Sequence, residues 1–597
     1  MKKKLSSKIF FLSASLMAAA CLSGCATPAD IVIHVFNCED YIGLDPFVYE
    51  GEDGEVEYSS VVQGFEEYES AKLGKKVSVV YDTYDTNETM LSSLKTGRSS
   101  YDLIVASDYA IQRMMVMGLL QPIDFTRVPN YVDYASSYLT GQLDALSAEI
   151  PERDENGRLT GERLPASVGD YALGYMWGTL GILYNPAKIS SSKGISEEQV
   201  KYDMGSWHSL WDKRYKGEMS VKDSMRDTYS VGIMEQFSEE IETDLATSGC
   251  FDEDYNLLPG KWQEALDSYN PKLTDIFNRC DEDSVLQVKN TLMKLKENIF
   301  GFEVDSGKED MVKGLIGMNL AWSGDAVFAM DTAEVTGTEI YYSIPKTGGN
   351  IWFDGWMMTK DCVGERQDVS YDFLNWLNDP QVAAANMNYI GYTPYVGGSI
   401  ILDLVREWYD PRMYEIYQTD EEGELIVDEN DEYVYAEGMN ENSWYTVDWS
   451  TYEWDTYNLT YMFEGTMDDE LADYVADPTN LGDTPETNPY IFYTDALEEV
   501  ADEATGDTLL AGRQFLAQYP EQDWIPKLAI MKDYGENNKF VLAMWQDVKA
   551  NNLPLAGVIV FAVILVAAAV LIAVGLVAKW RFKKLRVARR KAINRNA

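Results

Sequence analysis

Apolar and polar positions change their period along the chain, and the changes mark elements. IVIHVF (31–36), KVSVVYDTY (76–84) and YDLIVA (101–106) are short β-branched runs, and stretches of helical spacing such as NETMLSSLKTG and DYAIQRMMVMGLL lie between and after them. Strand and helix in alternation predict a largely parallel, doubly wound sheet. Ligands of such sheets sit at the carboxyl ends of the strands, which singles out residues 37–41, 82–89 and 107–109. A second α/β region starts near LGYMWGTLGILYNP, passes through GEMSVKDSMRDTYSVGI and the helical VLQVKNTLMKLKENI, and reaches GLIGMNLAWSG. A return segment, IYYSIPKTGGNIWFDGWMMTKD, precedes a predicted helix over SYDFLNWLNDPQVAAANMNYIGY.

Within that return segment, IWFDGW places Asp354 between two tryptophans. Strand side chains alternate faces, so Trp352, Asp354 and Trp356 are expected on one face. On an exposed sheet this is an ordinary amphipathic strand. Inside a cleft it suits an organic ammonium ion, because indole faces attract cations and a carboxylate supplies the counter-charge.

The two ends predict attachment. MKKK followed by IFFLSASLMAAACLSGC has the basic and apolar regions of an export signal, and Leu22-Ser23-Gly24-Cys25 resembles the lipobox of bacterial lipoproteins, in which the cysteine is acylated. Leu555 to Ala578 carries no charge, and 24 helical residues exceed a hydrocarbon core of about 30 Å. The tail KWRFKKLRVARRKAINRNA has nine Lys and Arg and no acid, which places it in the cytoplasm and the preceding residues outside. The expected location is the external face of the cell membrane, with a lipid-anchored N-terminus and a single-pass C-terminal helix.

Formal charge is −49, although the two ends hold 13 of the 49 basic residues and none of the 98 acids. The external part is therefore more acidic still. That excludes nucleic acid as a partner, which needs basic surface to neutralise phosphates, and it favours cationic ligands through long-range steering. With Cys21 in the signal and Cys25 acylated, Cys38, Cys250, Cys280 and Cys362 remain, without the close pairs of a zinc site; Cys250 and Cys280 are open to pairing. Only His34 and His208 are present, so no multi-histidine metal site is expected, and nothing calls for a cofactor.

Taken in order, FNCEDYIG, VVYDTYDTNETMLSSLKTG, YDLIVASDYAIQRM, MWGTLGILYNP, SWHSLWDKRYKGEMSVKDSMRD, GMNLAWSGDAVFA, IPKTGGNIWFDGWMM and NYIGYTP resemble the spermidine/putrescine-binding receptors of bacterial polyamine ABC transporters. The resemblance covers residues 31 to about 396, with a weaker match near 524–550. It implies an α/β, two-lobed periplasmic-binding-protein fold of type II, each lobe a doubly wound sheet. The implied division is a signal over 1–24, lobe 1 over 25–172 and 346–405, and lobe 2 over 173–345. After these come an acidic Tyr- and Trp-rich insertion over 406–523, a helical segment over 524–553, the spanning helix over 554–578 and a basic tail over 579–597.

The resemblance also implies a binding protein without catalytic activity, partnered by a polyamine and by the permease subunits of an ABC importer. It places Tyr41, Ser107, Tyr109, Asp227, Trp322, Trp352, Asp354 and Tyr392 in the pocket, with Cys38, Glu39 and Ser224 as further pocket positions. Four of these depart from the family. Cys38 and Glu39 stand where it carries Trp and Thr, and Ser224 and Asp227 stand where it carries an acidic pair, one carboxylate fewer. Other readings are a receptor of the same fold for another cationic or small organic solute, and a surface structural protein or adhesin. A penicillin-recognising serine enzyme is a further one, because Ser92-Ser93-Leu94-Lys95, Ser107-Asp108 and Lys346-Thr347-Gly348 imitate its elements, with Ser92 as nucleophile and Lys95 as base. Against it, the first two elements are 15 residues apart and Tyr109 replaces the Asn.

Overall fold

The structure is a computed structural model that describes residues 28–550, apart from breaks at 52–53, 97–99 and 154–157 and several stretches between 410 and 511. The predicted signal, Cys25 and the predicted spanning helix lie outside the described residues. Among those described, no helix is long and apolar enough to cross a membrane. Contacts divide the chain into two compact units, Met1–Leu542 and Ala543–Ala597, and in the second the described residues are helical through Lys549.

An eleven-stranded sheet organises the first unit. Its strands are β1 (Ile31–Cys38), β2 (Val77–Tyr84), β3 (Leu103–Ser107), β4 (Ala172–Tyr184), β5 (Met219–Lys222), β6 (Gly301–Glu303), β7 (Met318–Trp322), β8 (Tyr341–Ser343), β9 (Gly349–Met358), β10 (Thr393–Pro394) and β11 (Leu528–Ala529). The main path runs β6-β5-β7-β4-β9-β3-β1-β2, while β8 and β10 pair with β4 and β11 pairs with β9.

Two groups of parallel strands meet at the long central pair. On one side β1 runs parallel to β2 and β3. On the other β5 runs parallel to β6 and β7. The first half of β4 pairs antiparallel with β9 through residues such as Ala172 and Trp177, and its second half pairs with β7 and β8 through Leu180 to Tyr184. One continuous strand thus serves both groups, which makes the molecule two-lobed with strand crossovers between lobes. All 13 residues of β4 and all 10 of β9 are buried, as strands covered on both faces require.

The carboxyl ends of the parallel strands, where the sequence directs attention, are Cys38, Tyr84 and Ser107 in lobe 1 and Lys222, Glu303 and Trp322 in lobe 2. Helices α1 (Asn87–Lys95) and α2 (Asp108–Val116) follow β2 and β3, and α3 (Met225–Gln236) and α4 (Ser323–Glu334) follow β5 and β7. The short turns between strand and helix hold the functional side chains at fixed positions.

Described parts of the 406–523 region pack on β4 and α4. Tyr461 meets Trp177 of β4 edge-on, and Arg513 donates to the Ile340 carbonyl at 2.7 Å and pairs with Glu334 of α4. The chain then returns through β11, which with its flanks is held by Asn270, donating to Pro526 and Leu528 carbonyls, and Asn278, donating to that of Ile530. Cys38, Cys250, Cys280 and Cys362 are all free thiols, so the possible Cys250–Cys280 pairing is not formed.

Candidate functional site

Asp354 sits at an irregularity. Its Cα pairs with Ser107 of β3, but the register with β4 shifts between Phe353 and Gly355. The carboxylate, 8 % exposed, accepts a hydrogen bond from the Tyr41 hydroxyl at 2.8 Å through Oδ2. Its Oδ1 is buried without a hydrogen-bond partner. Burial raises the Asp354 pKa to about 6 despite the hydroxyls of Ser107 and Tyr41, which favour the charged form, and the charge of Asp227 adds to the rise. The exposed amphipathic strand is thereby excluded. Trp356 is fully buried against Tyr175 and Phe373, a core residue.

Around Asp354 stands an aromatic wall. Tyr41 meets Tyr175 and Tyr392 edge-on at 5.3 and 5.1 Å, and Trp352 lies 5.7 Å from Tyr392. Two glycines admit these rings. A Cβ on Gly324 would lie 2.3 Å from the Tyr392 ring, and one on Gly178 would lie 2.7 Å from Trp352. The Tyr41 backbone is fixed in turn, its carbonyl accepting from the Tyr175 hydroxyl at 2.7 Å and the Asn37 amide at 3.2 Å.

Lobe 2 supplies a second carboxylate. Ser224 is the N-cap of α3, its hydroxyl accepting from the Asp227 N–H at 3.4 Å, so the Ser-x-x-Asp spacing also serves as a helix start. The Asp227 side chain is buried, which raises its pKa, while hydrogen bonds from Ser224 and the Trp322 indole and the charges of Lys222 and Arg226 pull it down. Trp322 closes β7 as the residue before α4.

Several charged groups missing from the sequence reading complete the site. Lys222 is fully buried, 2.9 Å from Asp325 and 3.3 Å from Glu303, with its ammonium 4.1 Å over the Trp322 ring. Asp325 also accepts from Tyr392 at 3.1 Å. Burial opposes its ionisation, but Lys222 and Lys308 outweigh burial and hold it below the usual carboxylate range. Tyr109 of lobe 1 donates to Glu88 at 3.2 Å and lies 4.1 Å under the guanidinium of Arg226 of lobe 2, which also stacks on Tyr534 at 3.6 Å. Burial raises Glu88, and Arg226 partly counters it.

The residues singled out from sequence therefore form connected groups. Tyr41, Ser107 and Asp354 meet directly; Trp352 and Tyr392 flank them; Ser224, Asp227 and Trp322 face them from lobe 2. Cys38 lies close enough for Asp354 to help burial push its thiol up to about 12, whereas Glu39 is exposed. Asp108, whose acidity reads as surface charge, is completely buried: it accepts from the N–H groups of Tyr109 at 2.6 Å and Phe353 at 3.3 Å and braces α2 against β9. Ser92 and Lys95, the nucleophile and base of the enzyme reading, are exposed on α1. Chemically, the site offers buried carboxylates from both lobes and a lining of aromatic rings.

A two-lobed α/β receptor with its polar groups at facing strand ends is the architecture of an extracytoplasmic solute-binding protein. Residues 63–400, more than half of the chain, match the model of the family described as bacterial extracellular solute-binding protein, and the chain belongs to that family. It is similar to the putrescine-binding periplasmic protein PotF of Escherichia coli, 26% identical over 362 residues that cover 60% of this chain and 76% of that protein. It is also similar to the spermidine/putrescine-binding periplasmic protein of Escherichia coli, 24% identical over 328 residues that cover 55% and 73% of the two chains. Among solved structures, the spermidine/putrescine ABC transporter substrate-binding protein PotD of Streptococcus pneumoniae is 21% identical, covering 61% of this chain and 83% of that chain, with a TM-score of 0.38.

Proposed function

We propose that the protein captures a polyamine between its lobes and delivers it to the permease subunits of an ABC importer. The observation that carries the reading is the orphaned Oδ1 of Asp354, a buried carboxylate oxygen with a hydroxyl on its partner oxygen and aromatic rings alongside. A buried, unpaired carboxylate oxygen is costly unless a cation completes it. A protonated linear amine does so while its methylenes lie on the rings of Trp352 and Tyr392. Asp227 takes the second ammonium group, and the similarity to putrescine-binding and spermidine/putrescine-binding proteins supports the same ligand class. Closure of the lobes on the ligand follows from the site being shared between them.

Thermal stabilisation tests this. A ligand at a hundredfold excess over its Kd stabilises by roughly 2.7 kcal/mol, so putrescine or spermidine should raise the melting temperature while amino acids and thiamine leave it unchanged. A rise with an amino acid or thiamine alone assigns the site to another solute. The same reading has the chain tethered through an acylated Cys25 and a spanning helix over 555–578. Since a single acyl chain binds membranes only weakly, Cys25→Ser should lose lipid labelling yet stay in the membrane fraction.

A further inference from the structure

We propose that Lys222 makes this site selective for a ligand with two positive charges over one with three. The proposal rests on the polyamine reading above and concerns which polyamine fits. Lys222 ends β5 with its ammonium in the arrangement a ligand ammonium would adopt: over an indole face at 4.1 Å and against two carboxylates. It is a resident cation, wholly buried and further tied to the Val304 carbonyl at 3.1 Å.

Its partners are consumed by the fold. Asp325 receives Lys222 on Oδ2 and Tyr392 and Lys308 on Oδ1. Glu303 accepts from the Gly307 N–H at 2.8 Å and from Asn319 at 3.0 Å as well as facing Lys222. Arg226 is a second resident cation, stacked between Tyr109 and Tyr534 at 4.1 and 3.6 Å. Asp354 and Asp227, one on each lobe, are the carboxylates the polyamine reading gives to ligand, the first with an unpartnered oxygen and the second held by Ser224 and Trp322. A third ammonium near Trp322 would find Asp325 and Glu303 already engaged and would meet the charge of Lys222 through the ring. With a cation already on one face, the opposite face still covers methylenes but attracts a second cation less. A diamine places one ammonium on each of these two carboxylates and brings no surplus charge.

The test is the ratio of Kd values for putrescine and spermidine, measured by titration calorimetry on the wild type, Lys222→Met and Lys222→Met/Glu303→Gln. The double variant removes one charge of each sign, so the buried cluster stays balanced and folding is protected. The wild type should prefer putrescine by at least about tenfold, and both variants should narrow that preference at least about fivefold, mainly by gaining affinity for spermidine. A purely structural role for Lys222 would weaken both ligands alike and leave the ratio unchanged, which overturns the proposal. So does a wild type that binds spermidine as tightly as putrescine. Failure of the wild type to bind either polyamine overturns the polyamine reading itself, and this proposal with it.

Discussion

Replacing Asp354 with Asn separates stability from binding, because the two should move in opposite directions. Without ligand, the buried carboxylate is held charged against its environment. Its pKa is raised from 3.8 to about 6, and at roughly 1.4 kcal/mol per pKa unit the ionised form costs up to about 3 kcal/mol relative to the unfolded chain. A group raised in this way destabilises the native state above about pH 6, and the cost disappears as pH falls to the unfolded value near 4. Asn removes the charge, keeps the shape and can still accept the Tyr41 hydrogen bond, so the ligand-free variant should melt higher than the parent at pH 7.5. With ligand the sign reverses. Removing one partner of a buried ion pair typically costs about 2–5 kcal/mol, which at about 1.4 kcal/mol per decade is a loss of roughly 30-fold to several thousandfold in affinity.

Calorimetric titration with putrescine and spermidine, beside ligand-free melting curves, measures both effects. Asp361→Asn is the control, since Asp361 is 69% exposed and bonded only to the neighbouring Lys360 through its side chain. Asp108→Asn would be a poor control, because it disturbs a fully buried brace. An Asp354→Asn protein that binds both polyamines as well as the parent would refute the ion pair, whatever its melting temperature.

Affinity should depend on pH through the same carboxylate: Asp354 must be ionised to pair with ligand, so with a pKa near 6 binding at pH 5 should be about tenfold weaker than at pH 7.5, measured by titration in matched ionic strength. Gly324→Ala should weaken binding at least about tenfold while costing less in stability than a core cavity, because a Cβ 2.3 Å from the Tyr392 ring displaces that ring from the aromatic wall. Calorimetry and melting curves read both effects. Arg226→Met should lower stability by several kcal/mol, since it loses cation–π contacts with Tyr109 and Tyr534 and a 2.7 Å bond to the Lys532 carbonyl, worth roughly 0.5–2 and 1.5–3 kcal/mol each; urea denaturation without ligand checks it.

Strand runs in the sequence located the ends of β1, β2 and β3, and with them Tyr41, Ser107 and Tyr109, because a parallel strand is recognisable as an apolar run with a polar stop. The period-two argument for IWFDGW was less complete. It joined Trp356 to Asp354, but a register shift at Asp354 and the packing of Trp356 on Phe373 give these neighbours different work. The burial of Asp108 is hidden for another reason. A carboxylate that accepts from two backbone N–H groups inside the core has the same letter as one in solvent, and only the partners, 245 residues apart in one case, distinguish them.

Buried charge is the part of the site that sequence concealed most. Ser224 stands where the family carries an acid, and read along the chain that departure is the loss of a carboxylate from the pocket. In the fold it belongs to a wider exchange. Ser224 caps α3, and the residues on either side of it in VKDSMRD, Lys222 and Arg226, turn inward as cations: Asp325 and Glu303 answer the first, and the rings of Tyr109 and Tyr534 with the Lys532 carbonyl receive the second. Pairing of this kind follows from physical necessity, since a charge removed from water is tolerated only with a counter-charge or full hydrogen bonding. The carboxylates proposed above to receive ligand are outside these ion pairs. Asp354 keeps an oxygen without a partner, and Asp227 faces it from the other lobe. On the polyamine reading, the capacity of the site is set by the acids remaining after its own cations are satisfied, a quantity that no single strand of the sequence displays.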